Sequence, residues 1–591
     1  MQKTPVNMNK KMVRRASALL IGIVFLGAAL YTIVTYKRGN FEGQAWADTI
    51  FVNGDVITIN PKQPLAQAVA IKGDRILAVG SAQALALLVG PNTQRIDLQG
   101  AALLPGFIEP HTHPVASAML ADWVDVSGFT NPTPEALFKR LEDAVAEAAP
   151  GEWVMAFGLD TILTQGLIPP NRHKLDSIAP NNPLFILSQV MHTAYVNTQA
   201  LEVSNLSLNS PDPAGGHFER DASGEATGIL HEDALKAISI SGDIGLLGRV
   251  MQALDARQAF IRQYDRYAQA GYTTIGIPGP IALFPGYLQL LEHVASRSDS
   301  PIRSFVYPMA GEIEKTDYYP GYRNGRYEVL GVKIYLDGSP WTGGMATAEP
   351  YLQNDFSRDI IKMPENNRGL LKHSREAFRQ LVDKYHNDGW QVAVHAHGER
   401  AHDLALDTIE KVQRVSPVNN RRHRLEHLGL ITRENLVRAA KLGITPSFFI
   451  DHIYYFGAVI KNRLLGEERA ERFMPLAWAN EVHDRVSIHT DNPATPLDPM
   501  RALRTAVTRI PRFAQQPINT AQQMSVINAL EAITIDAAWQ LHAEDELGSI
   551  EVGKQADFTL LSTNPLEVNP VQWNTIKPLA TWIAGQRVAL D

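Results

Sequence analysis

Cysteine is absent from all 591 residues. That absence excludes disulfides, zinc–thiolate sites, iron–sulfur clusters and cysteine nucleophiles together. Any metal must be held by His, Asp, Glu or a modified Lys. Basic charge is also short. The 55 Lys and Arg against 62 Asp and Glu give a net charge of −7, which argues against a dedicated nucleic-acid binder. Gly (42) and Pro (36) are too few for a collagen-like or low-complexity chain. No G-x-S-x-G elbow or P-loop stands where a strand–turn–helix would need it. What remains is ordinary globular composition, 45% apolar and 20% charged. At roughly 100–200 residues per domain, the length allows a few domains or one large barrel with additions.

Charge is unevenly spread. Residues 1–47 carry seven Lys and Arg and one acid, Glu42, a net of +6, which leaves −13 for the rest. Ser17–Tyr36 is an uncharged apolar run preceded by Lys3, Lys10, Lys11, Arg14 and Arg15. About 20 residues at 1.5 Å rise span a bilayer core of about 30 Å. The positive-inside rule puts the short N-terminus in the cytoplasm and the bulk outside it, periplasmic or extracellular. Two readings compete: an uncleaved anchor held in the lipid bilayer by residues 17–36, or a signal peptide cleaved near Ala47, where Ala45-Trp46-Ala47 is a small-x-small site. The length of the run favours the anchor.

After Ala47 the texture becomes strand-like. Thr49–Asn60 alternates around Asn53-Gly54, a hairpin signature, and Leu65–Gly80 repeats the pattern around Lys72-Gly73-Asp74. The C-terminal stretches Ala556–Leu561 and Leu579–Val588 look similar. Between them, short apolar strands alternate with amphipathic segments such as Arg375–His386 and Ala401–Arg414. The strand candidates are Leu103–Ile108, Thr273–Ile277, Ile302–Tyr307, Gly331–Leu336, Gln391–His395, His423–His427, Gly443–Ser447 and Val486–Thr490. Eight such units predict an α/β chain with a (β/α)8 TIM-type barrel. The expected division is a tip and anchor over 1–47, a small β-sandwich from 48–104 plus 540–591, and a barrel over 105–539. The long first gap predicts an inserted α/β region at about 120–245.

Polar residues cluster at the ends of these strands. The first ends in His111-Thr112-His113, and alternation with period two points both imidazoles to one side, which suits two ligands of one metal. Lys333 sits inside an apolar strand, which is costly unless it is paired or modified. The fifth strand ends in His395, with His397 two residues on. The sixth ends in Glu426-His427 and the eighth in His489-Thr490-Asp491. Barrel enzymes build their sites at these C-terminal ends, so the joint pattern reads as a metal site.

These segments resemble the amidohydrolase superfamily, and within it the amidohydrolase family 3 (YtcJ-like) branch that includes N-substituted formamide deformylases. The matching stretches are Leu104–His113, Val332–Ser339, Val394–Gly398, Arg424–His427, His489–Asp491 and Leu547–Asp557. The likeness runs from about Ala47 to the C-terminus. It implies that His111, His113 and Asp491 bind the more buried metal and that His395 and His427 bind a second. Lys333 would bridge the two as a carboxylated lysine, or would contact substrate as a cation beside a single metal. Asp491 would also accept the proton of the water that the metal activates. Zinc is the first choice for such His and carboxylate ligands, and iron or manganese fits the same set.

Other residues are candidates for substrate binding: His192 in the insertion, Asp337 after the lysine strand, His397, and His452 within the aromatic loop Phe448–Phe456. Trp341 and the aromatics of that loop shape an apolar pocket or simply pack. Asp498 reads as a helix-start residue. The resulting expectation is a membrane-tethered hydrolase that cleaves an amide-type, non-peptide C–N bond of a small molecule. Its rivals are a hydrolytic deaminase or other C–N or C–O hydrolase on the same site, and a non-catalytic metal- or ligand-binding membrane protein. Homo-oligomerisation stays open.

Overall fold

A computed structural model describes residues 46–213, 216–241, 244–245, 256–281 and 286–589. The apolar run Ser17–Tyr36 lies outside them. Among the described residues no helix is long and apolar enough to cross a membrane.

Eight parallel strands form the barrel: β1 (Phe107–Glu109), β2 (Tyr272–Pro278), β3 (Arg303–Tyr307), β4 (Gly331–Tyr335), β5 (Gln391–Ala396), β6 (Arg424–His427), β7 (Thr445–Phe449) and β8 (Ser487–His489). Each is buried along nearly its whole length, the signature of a parallel sheet covered on both faces. The strands form two ladders. One holds β1, β2 and β3 in spatial order, and the other runs β4 to β8. Two seams close the ring. A bridge between Met309 and Lys333 links the β3 end to β4. Between β8 and β1, the Glu109 carboxylate accepts from the Thr490 hydroxyl at 2.8 Å and from the Thr490 backbone N–H at 3.2 Å.

Amphipathic helices cover the ring. Arg375–Asn387 starts at Ser374, whose side chain caps Ala377 N–H, and buries Phe378, Val382 and Tyr385 at helical spacing. Removing such a buried aromatic costs about 3–5 kcal/mol. Glu399–Val415 follows β5 and Arg433–Lys441 follows β6. Asp498 caps Pro499–Thr508 by accepting from Arg501 N–H at 2.9 Å.

Between β1 and β2 lies a six-stranded sheet over residues 124–232, with helices Pro134–Glu147 and Arg172–Ile178 packed on it and an apolar core of its own. It is tied to the barrel near the site. Gln189 donates to Pro493 O at 2.9 Å, and Arg512 donates to the Gly128 and Phe129 carbonyls at 2.7 and 2.9 Å.

Two further sheets flank the barrel, and in one of them the first and last described segments meet. Thr49–Val52, Ala68–Lys72, Arg75–Gly80 and Gln94–Asp97 form one; Phe558–Leu561 pairs antiparallel with Ala102–Pro105 in the other. Phe51 packs edge-on against Phe558 and Trp582, with ring centroids 5.4 and 5.2 Å apart.

Two sequence expectations are corrected here. Thr49–Asn60 is not a hairpin. Thr49–Val52 pairs with Ala68–Lys72, whereas Asp55–Ile57 pairs with Ala102–Pro105 in the other sheet. The Asn53-Gly54 turn carries the chain between sheets, and a Cβ on Gly54 would meet Ala101 O at 2.4 Å. Leu103–Ile108 is not one strand either. It breaks at Gly106, where a Cβ would meet Thr273 Oγ1 at 2.1 Å, and there the chain leaves the end sheet and becomes β1.

Candidate metal centre

Five strand ends converge on one buried patch. His111 and His113 follow β1, and Lys333 is the middle residue of β4. His395 is on β5, and His397 lies two residues on. Glu426 and His427 end β6, His489 ends β8, and Asp491 follows it. Adjacent strand residues point to opposite faces, yet Glu426 and His427 both reach the patch. The chain turns there: His427 and Leu428 have φ of 77° and 57°, and Asp491 has φ of 59°. Left-handed backbone at a non-glycine residue costs on the order of 1–3 kcal/mol, so strain is concentrated where side chains must be re-aimed.

Acceptor atoms crowd together in this patch. His113 Nε2 and Asp491 Oδ1 are 2.9 Å apart, and His111 Nε2 lies 3.7 Å from the same oxygen. No hydrogen bond joins them: Asp491 Oδ1 is buried without a partner among the described residues, as are His113 Nδ1 and both ring nitrogens of His395. His427 Nδ1 lies 3.8 Å from Asp491 Oδ2 and 3.2 Å from His489 Nε2. Lys333 Nζ is 3.4 Å from His111 Nε2. Three overlapping groups have ligand atoms within 4.8 Å of one another: His111, His113 and Asp491; His111, His427 and His489; His395, His397 and His427. Converging ring nitrogens and a carboxylate oxygen, several of them without a hydrogen-bond partner among the described residues, suit a cation, so the residues present fit a divalent metal.

Burial sets the charge states. It holds His111, His395, His397, His427, His452 and His489 neutral by pushing each pKa well below the usual histidine value, with neighbouring cations and imidazoles adding to the effect. A neutral imidazole is the form that can ligate. Burial also brings the Lys333 ammonium down to about 8, against the pull of Glu426 and Asp491.

A second row of residues, assigned no role from the sequence, holds the first. Glu426 Oε2 accepts from His111 Nδ1 at 2.7 Å, and Arg424 donates to Glu426 Oε1 at 2.7 Å, all three fully buried. Arg424 and Glu426 are two apart on β6, so the period-two alternation used for His111 and His113 was the available signal. Ser447 pairs with His489 Nδ1 at 2.9 Å.

The remaining candidates fall in different places. Asp337 is buried, and its carboxylate accepts from the backbone N–H groups of Ala346, His397 and Gly398 at 3.0, 2.9 and 2.9 Å. It therefore brackets the turn that carries His397, and burial raises its pKa to about 7. His452 is buried with both ring nitrogens unpartnered among the described residues, and it stacks on His397 and packs against Trp341 and Phe449. Trp341 stacks on Phe456 at 4.1 Å. His192 stands apart: its side chain, just before the interior strand Thr193–Val196 of the inserted sheet, is 59% exposed and pairs with Glu232 at 3.0 Å. A cavity of about 550 Å³ between the insertion and the barrel is lined by Trp123, Phe129, Gln189 and Asn492, the last adjoining Asp491.

Comparison with known proteins bears on this arrangement. A model of an amidohydrolase family matches residues 94–589. The chain is 28% identical over 570 residues to the Arabidopsis thaliana protein LONG AFTER FAR-RED 3, covering 92% of this chain and 91% of that one. It is 26% identical over 546 residues to the N-substituted formamide deformylase of Arthrobacter pascens, covering 91% and 97%. Its fold is similar to that of an uncharacterized metal-dependent hydrolase from Pyrococcus horikoshii, with a TM-score of 0.68 and 22% identity over 89% of this chain and 99% of that one.

Proposed function

This chain belongs to the amidohydrolase family and is a hydrolase of that family, and from that premise we propose that it cleaves an amide-type, non-peptide C–N bond of a small molecule with the aid of a divalent metal. The observation that carries the reading is the set of buried, overlapping ligand groups in which His113 Nε2 and Asp491 Oδ1 lie 2.9 Å apart with no hydrogen bond between them.

His111, His113 and Asp491 would hold one ion, and His395 and His427 a second, with Lys333 beside the first group and available as a carbamate bridge. Zinc is the proposed metal. A divalent cation held there supplies Lewis acidity: it polarises a substrate carbonyl and brings the ionisation of water into the neutral range. The protein supplies the rest. Glu426 fixes the His111 ring through Nδ1, so Nε2 faces the cluster. Asp491 takes a proton at its carboxylate from the attacking water and hands it to the leaving amine. Asp491 and His395, 8% and 9% exposed, are the members of the set most open to solvent, so substrate approaches on their side. The aromatic wall of Trp341, Phe449 and Phe456 excludes water around His452. The cavity beside Asn492 is of the size that takes a small ligand. The name of the Arthrobacter relative makes N-substituted formamides the first compounds to try.

Elemental analysis of the full chain, paired with hydrolysis of a panel of N-substituted formamides and other N-acyl amines, tests the proposal. Bound divalent ion is expected, with activity lost on chelation and restored on reloading. A chain that takes up no such ion sinks the reading.

We also propose that residues 17–36 anchor the chain in a membrane, with the catalytic part outside the cytoplasm. The uncharged run and its basic flank support this. Sedimentation with membranes at high salt is expected for the full chain and not for one lacking residues 1–47; the reverse result overturns it.

A further inference from the structure

Two imidazoles of the cluster, His397 and His489, have no part in the ligand assignment above. His397 follows His395 by two residues, so both side chains leave the end of β5 on the same side. With His427 they form a group of three buried histidines whose ligand atoms lie within 4.8 Å of one another. The group contains neither carboxylate nor lysine. Its ring centroids are 5.0 Å apart for His395 and His397, 4.3 Å for His395 and His427, and 4.8 Å for His397 and His427.

Two further observations set this group apart from packed histidines. Both ring nitrogens of His395 and Nδ1 of His397 are buried without a hydrogen-bond partner among the described residues. Buried polar atoms are normally satisfied, so several orphans in one group need a reason. His397 is also held from two directions. Its backbone N–H donates to Asp337 Oδ1 at 2.9 Å. Its ring lies between those of His427 and His452, nearly parallel to both, at 14° and 16°.

We propose that His395, His397 and His427 form a three-imidazole seat for a divalent transition-metal ion, and that this seat is complete without Lys333. The inference rests on the metal-dependent reading above and deepens it. Imidazoles select zinc, cobalt or nickel over magnesium or calcium. Three protein ligands with a free position are the pattern of a catalytic rather than a closed structural site. Lys333 is not a member of this group: its Nζ is 3.4 Å from His111 Nε2 and 5.1 Å above the Tyr335 ring, which itself lies 4.9 Å from that of His395. A carbamate on Lys333 would then tune the pair of ions without being required to hold the second one.

The test uses the full chain, stripped by chelation and titrated with Co(II), followed by visible absorption and by elemental analysis. The inference expects His397→Asn to bind one equivalent fewer than wild type, or to bind the weaker equivalent at least tenfold more weakly. It expects Lys333→Met to keep that equivalent, and Mg(II) to compete for none of it. Wild-type stoichiometry and affinity in His397→Asn overturn the seat, and so does loss of the ion in Lys333→Met. Thermal midpoints of the stripped proteins establish that the variants fold. If His397→Asn does not fold, Lys333→Met decides alone: retention supports the seat and loss overturns it. A wild-type chain that takes up no Co(II) overturns the metal-dependent reading itself, a different outcome from a loaded wild type matched by His397→Asn.

Discussion

Glu426 Oε2 lies 2.7 Å from His111 Nδ1, and neither side chain touches solvent. The contact fixes which ring nitrogen of His111 faces the cluster, and Arg424, donating to the other carboxylate oxygen at 2.7 Å, balances the charge. Glu426→Gln keeps the shape and removes the charge. Partners of this kind typically carry about 10–100-fold in metal affinity, so competition with a chromophoric chelator should show a loss in that range. The buried Arg424 guanidinium loses its counter-ion, and urea unfolding of the stripped protein should show a loss of about 3 kcal/mol or more. Unchanged affinity would place the work of orienting His111 elsewhere.

Asp491 is assigned the proton transfer. Asp491→Asn is expected to lower kcat by about 10²–10⁴-fold while an ion is still retained at the other groups, read by elemental analysis on the same sample. A fall of less than tenfold would move the proton acceptor to another residue.

Asp337 serves three backbone N–H groups with two carboxylate oxygens. Asp337→Asn replaces one acceptor by a donor facing a donor. An unmet buried group costs about 1–3 kcal/mol, so the thermal midpoint should drop. The Co(II) spectrum should shift because the turn bearing His397 is loosened. A drop in midpoint with an unaltered spectrum would confine Asp337 to stability.

Away from the centre, Asp536 supplies a pH signature. Burial raises its carboxyl to about 6, against Arg485 at 2.8 Å and the Val486 N–H. A folded-state pKa above the unfolded value means that the native state holds the proton more tightly. The contribution is therefore full below about 4, the unfolded carboxylate range, and is lost as pH rises through about 6. Two units correspond to up to about 3 kcal/mol. Chemical unfolding of wild type between pH 4 and 7 should show this decline, and Asp536→Asn should make it shallower. An unchanged slope in the variant assigns the decline to another group.

Much of the architecture was legible because its signals are local. β4 and β5 read as apolar runs, helix Arg375–Asn387 as an amphipathic period with a serine cap, and the strand-end histidines as a same-side spacing. The Asn53-Gly54 turn misled because its chemistry is the same whether the flanking strands pair with each other or with segments in different sheets. Gly106 hid a change of sheet inside one apolar run, since its reason, the Thr273 side chain, is 167 positions away. The left-handed backbone at His427 and Asp491 carries no residue-level mark, because glycine does not stand there. Asp337-Gly338 looks like any turn, and its role as a bracket depends on amides 9 to 61 residues along the chain. His192 lay in a stretch matched by analogy alone, and it faces solvent.

The two ladders of the barrel divide the cluster between them. His111 and His113 belong to the half-ring of β1, β2 and β3; Lys333, His395, His427, His489 and Asp491 belong to the half-ring of β4 to β8. At the β8–β1 seam the halves meet through scattered contacts instead of a strand ladder, Glu109 against Thr490 and the His113 N–H donating to Asn492 O at 2.8 Å among them. Neither arc alone owns the group of His111, His113 and Asp491. The reactive centre is thus a property of closure: a chain arrested as two open arcs would contain every residue the chemistry needs and still be inert, and an ion seated across the join would act as the keystone that makes opening the ring expensive.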